Sequence, residues 1–340
     1  MSKVKMWLVM TVAAAVMNAG GAQAAEMFYS DRELMTATQI AYYDFSREQL
    51  ADHGGRATVR ELLQEGGRLR NLQSAWNNAE EGLAKTMAKR NLELYEEMVS
   101  SDSVCGSWYV VDVNDRNEED GFYAVLIETN ADQAIVAFRG SESYDSNQLV
   151  KDWINADFGL LMDQDTTQQK QAEAYMADIE KQFSYANYAV TGHSLGGNLA
   201  VHAAIAAPDA MKEKLMETVN FDGPGFSEAY LSRHQEEISQ VGHQIRLYRW
   251  SLVGALLTQP QCVTSRIVQV TEDIKPLEEV RSNYLRHSTA FIDFRDGMVQ
   301  DGTESLLSMS MGVWSRKVDQ QIMEKRKNLE TEKSSKANAG

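Results

Sequence analysis

The spacing of apolar positions changes character along this chain. Between residues 30 and 100 it is helical: Leu62, Leu69, Trp76 and Leu83 stand seven apart, with Leu72, Met87 and Leu94 beside the same stripe. Charged residues fill the other faces, so the pattern predicts amphipathic helices forming a cap on a core. The polar face is not enriched in Lys and Arg, which argues against a membrane-surface helix there. After Ser103 the apolar runs shorten and turn β-rich. Residues 108–113, 122–128 and 135–138 read as strands, separated by acid-rich turns near 115–120 and 130–132. Strands expected at 188–191, 218–221, 244–250 and 267–270 then alternate with helices at 166–183, 195–207 and 227–239. Such alternation predicts an α/β fold, a mostly parallel sheet covered by helices on both faces. The last stretch, 319–340, is Lys-rich and nearly free of large apolar residues, and reads as a frayed helix end or flexible tail.

The first residues set a compartment. Lys3 and Lys5 precede a twelve-residue apolar run from Met6 to Met17, followed by Gly20, Gly21 and the Ala22-Gln23-Ala24 triplet. A positive start, a short apolar stretch and an A-x-A site are the pattern of a signal peptide cleaved after Ala24. The run makes a helix of about 18 Å, too short for a hydrocarbon core of about 30 Å. The expectation is an exported protein, periplasmic or secreted, with no transmembrane segment after cleavage. The organisation expected is therefore 1–24 signal peptide, 25–102 helical N-terminal extension, 103–318 α/β core and 319–340 charged tail.

Composition narrows the function classes. The chain has 340 residues, 43% of them hydrophobic, enough for a substantial core. Its net charge is −16, and −18 without Lys3 and Lys5, which excludes the basic footprint of a nucleic-acid binder. A chain this acidic is repelled by anionic membranes at low salt, which favours a neutral or dispersed ester over an anionic bilayer. Transient contact with a lipid surface is compatible with the pattern. Two cysteines, Cys105 and Cys262, cannot build a scaffold. In an oxidising compartment they form one disulfide or remain two buried thiols, and spacing leaves both open. With no HExxH and no ligand cluster, neither metal nor cofactor is expected.

The segment carrying chemistry is Tyr188-Ala189-Val190-Thr191-Gly192-His193-Ser194-Leu195-Gly196-Gly197, a strand running through G-x-S-x-G into an apolar helix. That context makes Ser194 a nucleophile candidate on a sharp turn, with small residues letting strand and helix pass closely. A serine needs a base. His193 sits inside the turn and His202 on the next helix, so neither is easily positioned. The chain order nucleophile–acid–histidine leaves His234, His243 and His287. His234 falls in a polar helix and His243 at the entering end of a strand, so His287, in a loop after the last clear elements, is the expected base. Asp222 ends a strand in Asn220-Phe221-Asp222-Gly223-Pro224 and is the expected acid; a turn-forming role is its bland alternative. Asp273 and Asp293 stand in reserve. The N–H of Leu195 is one expected oxyanion donor, and the strand end Arg139-Gly140-Ser141 supplies Ser141 as the second.

These pieces resemble the class 3 lipases, the fungal triacylglycerol lipase type of α/β-hydrolase. The matching motifs are Ala137-Phe138-Arg139-Gly140-Ser141, Asp152-Trp153 with Asp157, and Gly192-His193-Ser194-Leu195-Gly196-Gly197. The segments from Phe221 to Phe226 and Ser251 to Leu257 look like a poorly characterised bacterial branch. The resemblance covers roughly residues 105–295. It implies an α/β-hydrolase fold and ester hydrolysis, with Ser194 as nucleophile, His287 as base, and Ser141 with Leu195 as oxyanion hole. There is one departure: class 3 lipases carry the acid in Asp-x-Val after the next strand, where this chain has Trp250-Ser251-Leu252-Val253. Pancreatic-type lipases take theirs from the strand after the nucleophile, which Asp222 resembles. The apolar cluster from Phe158 to Met162 is either a lid or a core-facing turn. Function is thus expected to be an exported serine hydrolase of carboxylic esters, lipase or phospholipase A-like. The alternatives are a thioesterase or peptidase on the same fold, or a catalytically silent binding protein.

Overall fold

The structure, a computed structural model, describes residues 28–140, 165–271 and 286–337. The expected signal peptide, Ser141, Asp152-Trp153, Asp157, the 158–162 cluster and Asp273 lie outside the described residues. Eight strands form one sheet in sequence order: β1 (Ala57–Thr58), β2 (Tyr109–Arg116), β3 (Phe122–Asn130), β4 (Gln133–Phe138), β5 (Asn187–His193), β6 (Leu215–Phe221), β7 (Ile245–Arg249) and β8 (Thr264–Ile267). A small hairpin, β9 (Phe294–Arg295) and β10 (Met298–Val299), stands apart. Strands β1 to β4 pair antiparallel and β4 to β8 parallel.

The helices are α1 (Asp31–Ala41), α2 (Arg47–Asp52), α3 (Val59–Gln64), α4 (Arg68–Asn78), α5 (Leu83–Val99), α6 (Thr167–Gln182), α7 (Leu195–Ala206), α8 (Asp209–Lys212), α9 (Glu228–Arg233), α10 (Gln235–Val241) and α11 (Leu306–Ala337). Among the described residues, no helix is long and apolar enough to cross a membrane. The parallel half follows from connections that contain helices, whereas β2–β3–β4 are joined by tight turns that permit only antiparallel pairing. The architecture is an α/β fold, one eight-stranded sheet with helices on both faces.

Alternation along the central strands splits the core. In β3, Tyr123, Val125 and Ile127 join one cluster, with Ile135, Ala137 and α1 residues Leu34, Ala37, Ile40 and Ala41. Phe122, Ala124 and Leu126 face the other way, onto Ala172, Met176 and Ile179 of α6 and Leu199, Ala200 and Ala203 of α7. Both faces are apolar because both are covered, the pattern of a buried sheet.

Two expectations need correction. The seven-residue stripe does not make one buried face. The Gly66–Gly67 turn and residues 79–82 break it into α3, α4 and α5, leaving Leu62 buried, Leu69 exposed, and α4 with no buried residue. The edge strand expected at 267–270 is Thr264–Ile267, and Val268 and Val270 make only isolated bridges. The charged stretch from Asp319 to Ala337 continues one 32-residue helix, the helical one of its two alternatives. The two cysteines are free. Cys105 lies in a 3-10 turn, its thiol pushed up to about 12 by burial, and Cys262 Sγ donates to the Thr264 carbonyl.

Helix α1 belongs to the core rather than lying outside it. A capping box starts it: Ser30 Oγ accepts from Glu33 N, and the Glu33 carboxylate accepts from Ser30 N. Asp31, fully buried, then pairs with Arg246 of β7, whose guanidinium also pairs with Glu217 of β6. The remaining lone pairs of Asp31 accept from Tyr248 Oη at 2.9 Å and Val299 N at 3.0 Å. Buried charges persist only when paired and hydrogen-bonded in this way, and removing one partner costs about 3–5 kcal/mol. Asp31→Ala is therefore expected to destabilise the fold by about 3 kcal/mol, measured as a lower urea midpoint with an unchanged slope.

A second consequence concerns acid. His202 of α7 is buried, with Nδ1 hydrogen-bonded to Tyr230 Oη at 2.6 Å, and burial holds its pKa down to about 4. An unfolded histidine titrates near about 6.5, so unfolding takes up a proton between those values. Stability is complete above about pH 6.5 and declines as pH falls toward 4. In thermal melts across that window, His202→Gln is expected to show a shallower loss of Tm than wild type.

Candidate active site

The turn between β5 and α7 is built by close approach. A Cβ on Gly192 would overlap the Gly196 carbonyl, and one on Gly196 would overlap the Phe138 carbonyl of β4. With both absent, α7 leaves β5 at once and Ser194 sits at φ 60°, ψ −136°. A non-glycine residue there is strained, and such strain persists only where the surroundings over-determine it. Here Ser194 N donates to the Phe221 carbonyl at 3.0 Å, tying the turn to the end of β6.

Asp222 follows directly, also in the left-handed region at φ 56° and fully buried. Its carboxylate is held from two sides. Oδ1 accepts from Trp250 N at 2.8 Å and Ser251 N at 3.1 Å, and Oδ2 lies 2.7 Å from His287 Nδ1. A carboxylate there accepts the Nδ1 proton, so the neutral imidazole leaves its lone pair on Nε2. That nitrogen is buried and has no hydrogen-bond partner among the described residues. Ser194 Oγ makes no hydrogen bond to it in this arrangement.

The sequence departure now has a geometric account. No acid follows β7, but the Asp222 carboxylate crosses from the end of β6 to the backbone of Trp250 and Ser251, at the end of β7. The position after β7 contributes a hydroxyl instead: Ser251 Oγ lies 3.1 Å from His287 Nδ1 and accepts from Val253 N. Ser251 was not singled out from sequence, because a serine in a loop carries no signal until the imidazole is placed beside it.

His193 is the other contributor missed, and it works as scaffold. Its ring stacks on Trp250 at 5.8 Å and tilts against His287 at 4.3 Å. Nε2 lies 2.9 Å from the His287 carbonyl, so it donates there, and Nδ1 accepts from Tyr42 Oη at 3.1 Å. Burial, reinforced by the neighbouring His287, holds the His193 pKa well below its ordinary value and keeps the ring neutral. Tyr42, the residue ending α1, also accepts from Gly140 N at 3.2 Å. One phenol thus ties the nucleophile turn to the strand end that leads to Ser141.

The N-terminal helices hold the His287 loop as well. Gln39 of α1 donates to Thr289 Oγ1 at 2.5 Å, and Arg90 of α5 donates to the Ala290 carbonyl at 3.0 Å. A cleft of about 390 Å³ lies between these helices and that loop, lined by Met35, Gln39, Arg90, Leu94, Ala290 and Ile292 among others. Ser194, Asp222 and His287 do not line it. Arg139 is buried and clamped by Asp44 and Asn117, which fixes the end of β4 before Gly140.

Ser194, Asp222 and His287 therefore converge at the carboxyl edge of the parallel strands, and Leu195 opens α7 beside them with an N–H that no helical carbonyl can reach. The other histidines do not join them: His234 lies near Asp165, and His243 is exposed in a 3-10 turn. Asp293 pairs with Arg295 instead.

Comparison with known proteins adds a family. No curated protein matches the chain. Among solved structures, a mutant of MDLA from Penicillium cyclopium, a mono/diacylglycerol lipase, is similar at 13% identity and TM-score 0.32 over 69% of this chain and 86% of that one. The Mbeg1-like family model matches residues 103–329, two thirds of the length and every one of the three converging side chains. The chain belongs to the Mbeg1-like family.

Proposed function

We propose that the protein is an exported serine hydrolase of carboxylic esters, lipase or phospholipase A-like. The observation that carries this reading is the buried Asp222–His287 pair, whose Nε2 is buried and has no hydrogen-bond partner among the described residues, with a serine held at φ 60° on the turn after β5. In this mechanism Ser194 Oγ attacks the acyl carbonyl while His287 Nε2 takes its proton. Asp222 keeps the proton on Nδ1 and stabilises the imidazolium as it forms. The developing oxyanion is received by the N–H of Leu195 and by Ser141. His287 then protonates the leaving alcohol, the acyl group stays on Ser194, and water activated by the same imidazole releases it as an acid.

The neutral His193 has a physical role in this cycle. A second cation 4.3 Å from an imidazolium would oppose its formation, so a histidine kept neutral by burial supports the position without the repulsion.

Two experiments test the reading. A fluorophosphonate probe is expected to label the wild type and not Ser194→Ala; equal labelling of both, or of neither, would overturn it. Asp222→Asn is expected to lower kcat on p-nitrophenyl esters by about 10⁴-fold, while Asp293→Asn changes it less than about twofold. The reverse order would move the acid elsewhere. The same assay with phospholipid, thioester and peptide substrates separates the ester reading from its neighbours.

A further inference from the structure

Helix α11 is two-sided in an unusual way. Ser308, Gly312, Ser315 and Asp319, at helical spacing, are buried against the body. Ser315 Oγ accepts from Leu257 N at 3.0 Å, and Asp319 accepts from Glu228 N at 2.8 Å. On the opposite side, Leu306, Met309 and Val313 stand at i, i+3 and i+7, with Trp314 beside them. These four are 80%, 42%, 48% and 58% exposed. Five of the nine exposed large apolar side chains among the described residues lie on this one helix, so the patch is concentrated rather than scattered.

Its charge runs against that of the chain. From Leu306 to Ala337 there are seven Lys and Arg against four Asp and Glu, in a protein of net charge −16. Lys317 is one turn beyond Val313 on the apolar side, and Lys325, Arg326 and Lys327 follow. Lys317 and Lys327 are exposed. Apolar turns ending in a tryptophan and followed by cations match an interface with apolar interior and anionic surface. A second copy of the chain is the poorer fit, because it would bring the exposed Lys317 and Lys327 of one helix toward the same cations of the other. The helix is also well placed: Met311 and Leu195, the residue after Ser194, pack on the same pair, Leu256 and Leu257.

We propose that the exposed face of α11, from Leu306 through Trp314 with Lys317 and Lys327 behind it, docks the protein on an anionic lipid surface beside the mouth of the site. The acidic body does not prevent this, since charges farther than about 8–10 Å from the surface are screened at physiological salt. Docking does not depend on hydrolysis. The test therefore uses the full chain carrying Ser194→Ala, which leaves the lipid intact, and its failure would not touch the labelling result above.

Sedimentation in about 0.15 M salt, where the Debye length is about 8 Å, is expected to carry the protein down with phosphatidylglycerol-containing vesicles more than with pure phosphatidylcholine vesicles, with release at high salt. Val313→Ser/Trp314→Ser is expected to weaken binding at least about tenfold. Lys317→Glu/Lys327→Glu should weaken it about fivefold or more per cation, on anionic vesicles only. Thermal melts check that both variants fold, and Leu306→Ser/Met309→Ser replaces the first should it not. No sedimentation with either vesicle, or wild-type binding in the apolar variant, overturns the proposal. So does a dimer seen by light scattering that the apolar variant dissolves while vesicles bind neither form.

Discussion

The arrangement of this site depends on one buried carboxylate. Asp222 is removed from water, which is costly for a charge unless donors surround it, and it has them: two backbone N–H groups from the end of β7 and an imidazole from the 286–288 loop. Because those donors come from two separate stretches of chain, the carboxylate fixes their relative position as well as its own state. His287 in turn fixes the ring of His193 through its carbonyl, and His193 holds Tyr42 at the end of α1. A charge that must be satisfied thus organises four segments far apart in sequence.

Much of this was legible beforehand. The strand–turn–helix around Ser194 announces itself because three glycines and a run of small helix residues are needed for close packing, and that need is written in residue type. Asp222 and His287 followed from chain order and from their places at strand end and loop. What could not be read was contact between distant segments. The periodicity at 30–100 marks amphipathic helices, yet nothing in it says that α1 lies on β4 and β5 or that Gln39 and Arg90 hold the histidine loop. The stripe itself misled, since a seven-residue spacing says nothing about the glycines that interrupt it.

Contacts between distant segments also decide where the edge strand ends. Val268 and Val270 have strand character but meet only single bridges from the 292 and 301 regions, so the strand ends before them. Sequence leaves the end of the final helix open between helix and tail, because its second half is mostly polar and almost wholly exposed where described. A polar helix of that kind has no apolar stripe to betray it, and its first turns are apolar on the side that faces solvent.

The tie between Asp31 and its partners has a consequence for how the chain folds. Asp31 contacts Arg246 across 215 residues and Val299 across 268, while α1 covers strands made more than ninety residues after it. Contacts so distant in sequence close large loops and form late, which slows folding. During synthesis the first helix emerges without the surface it will cover, and must wait as a short amphipathic segment, marginal on its own. The Tyr42–His193 contact cannot form before then. Completion of the site is therefore coupled to completion of the chain, and a product stopped short of β10 would lack both the burial of Asp31 and the seat of α1.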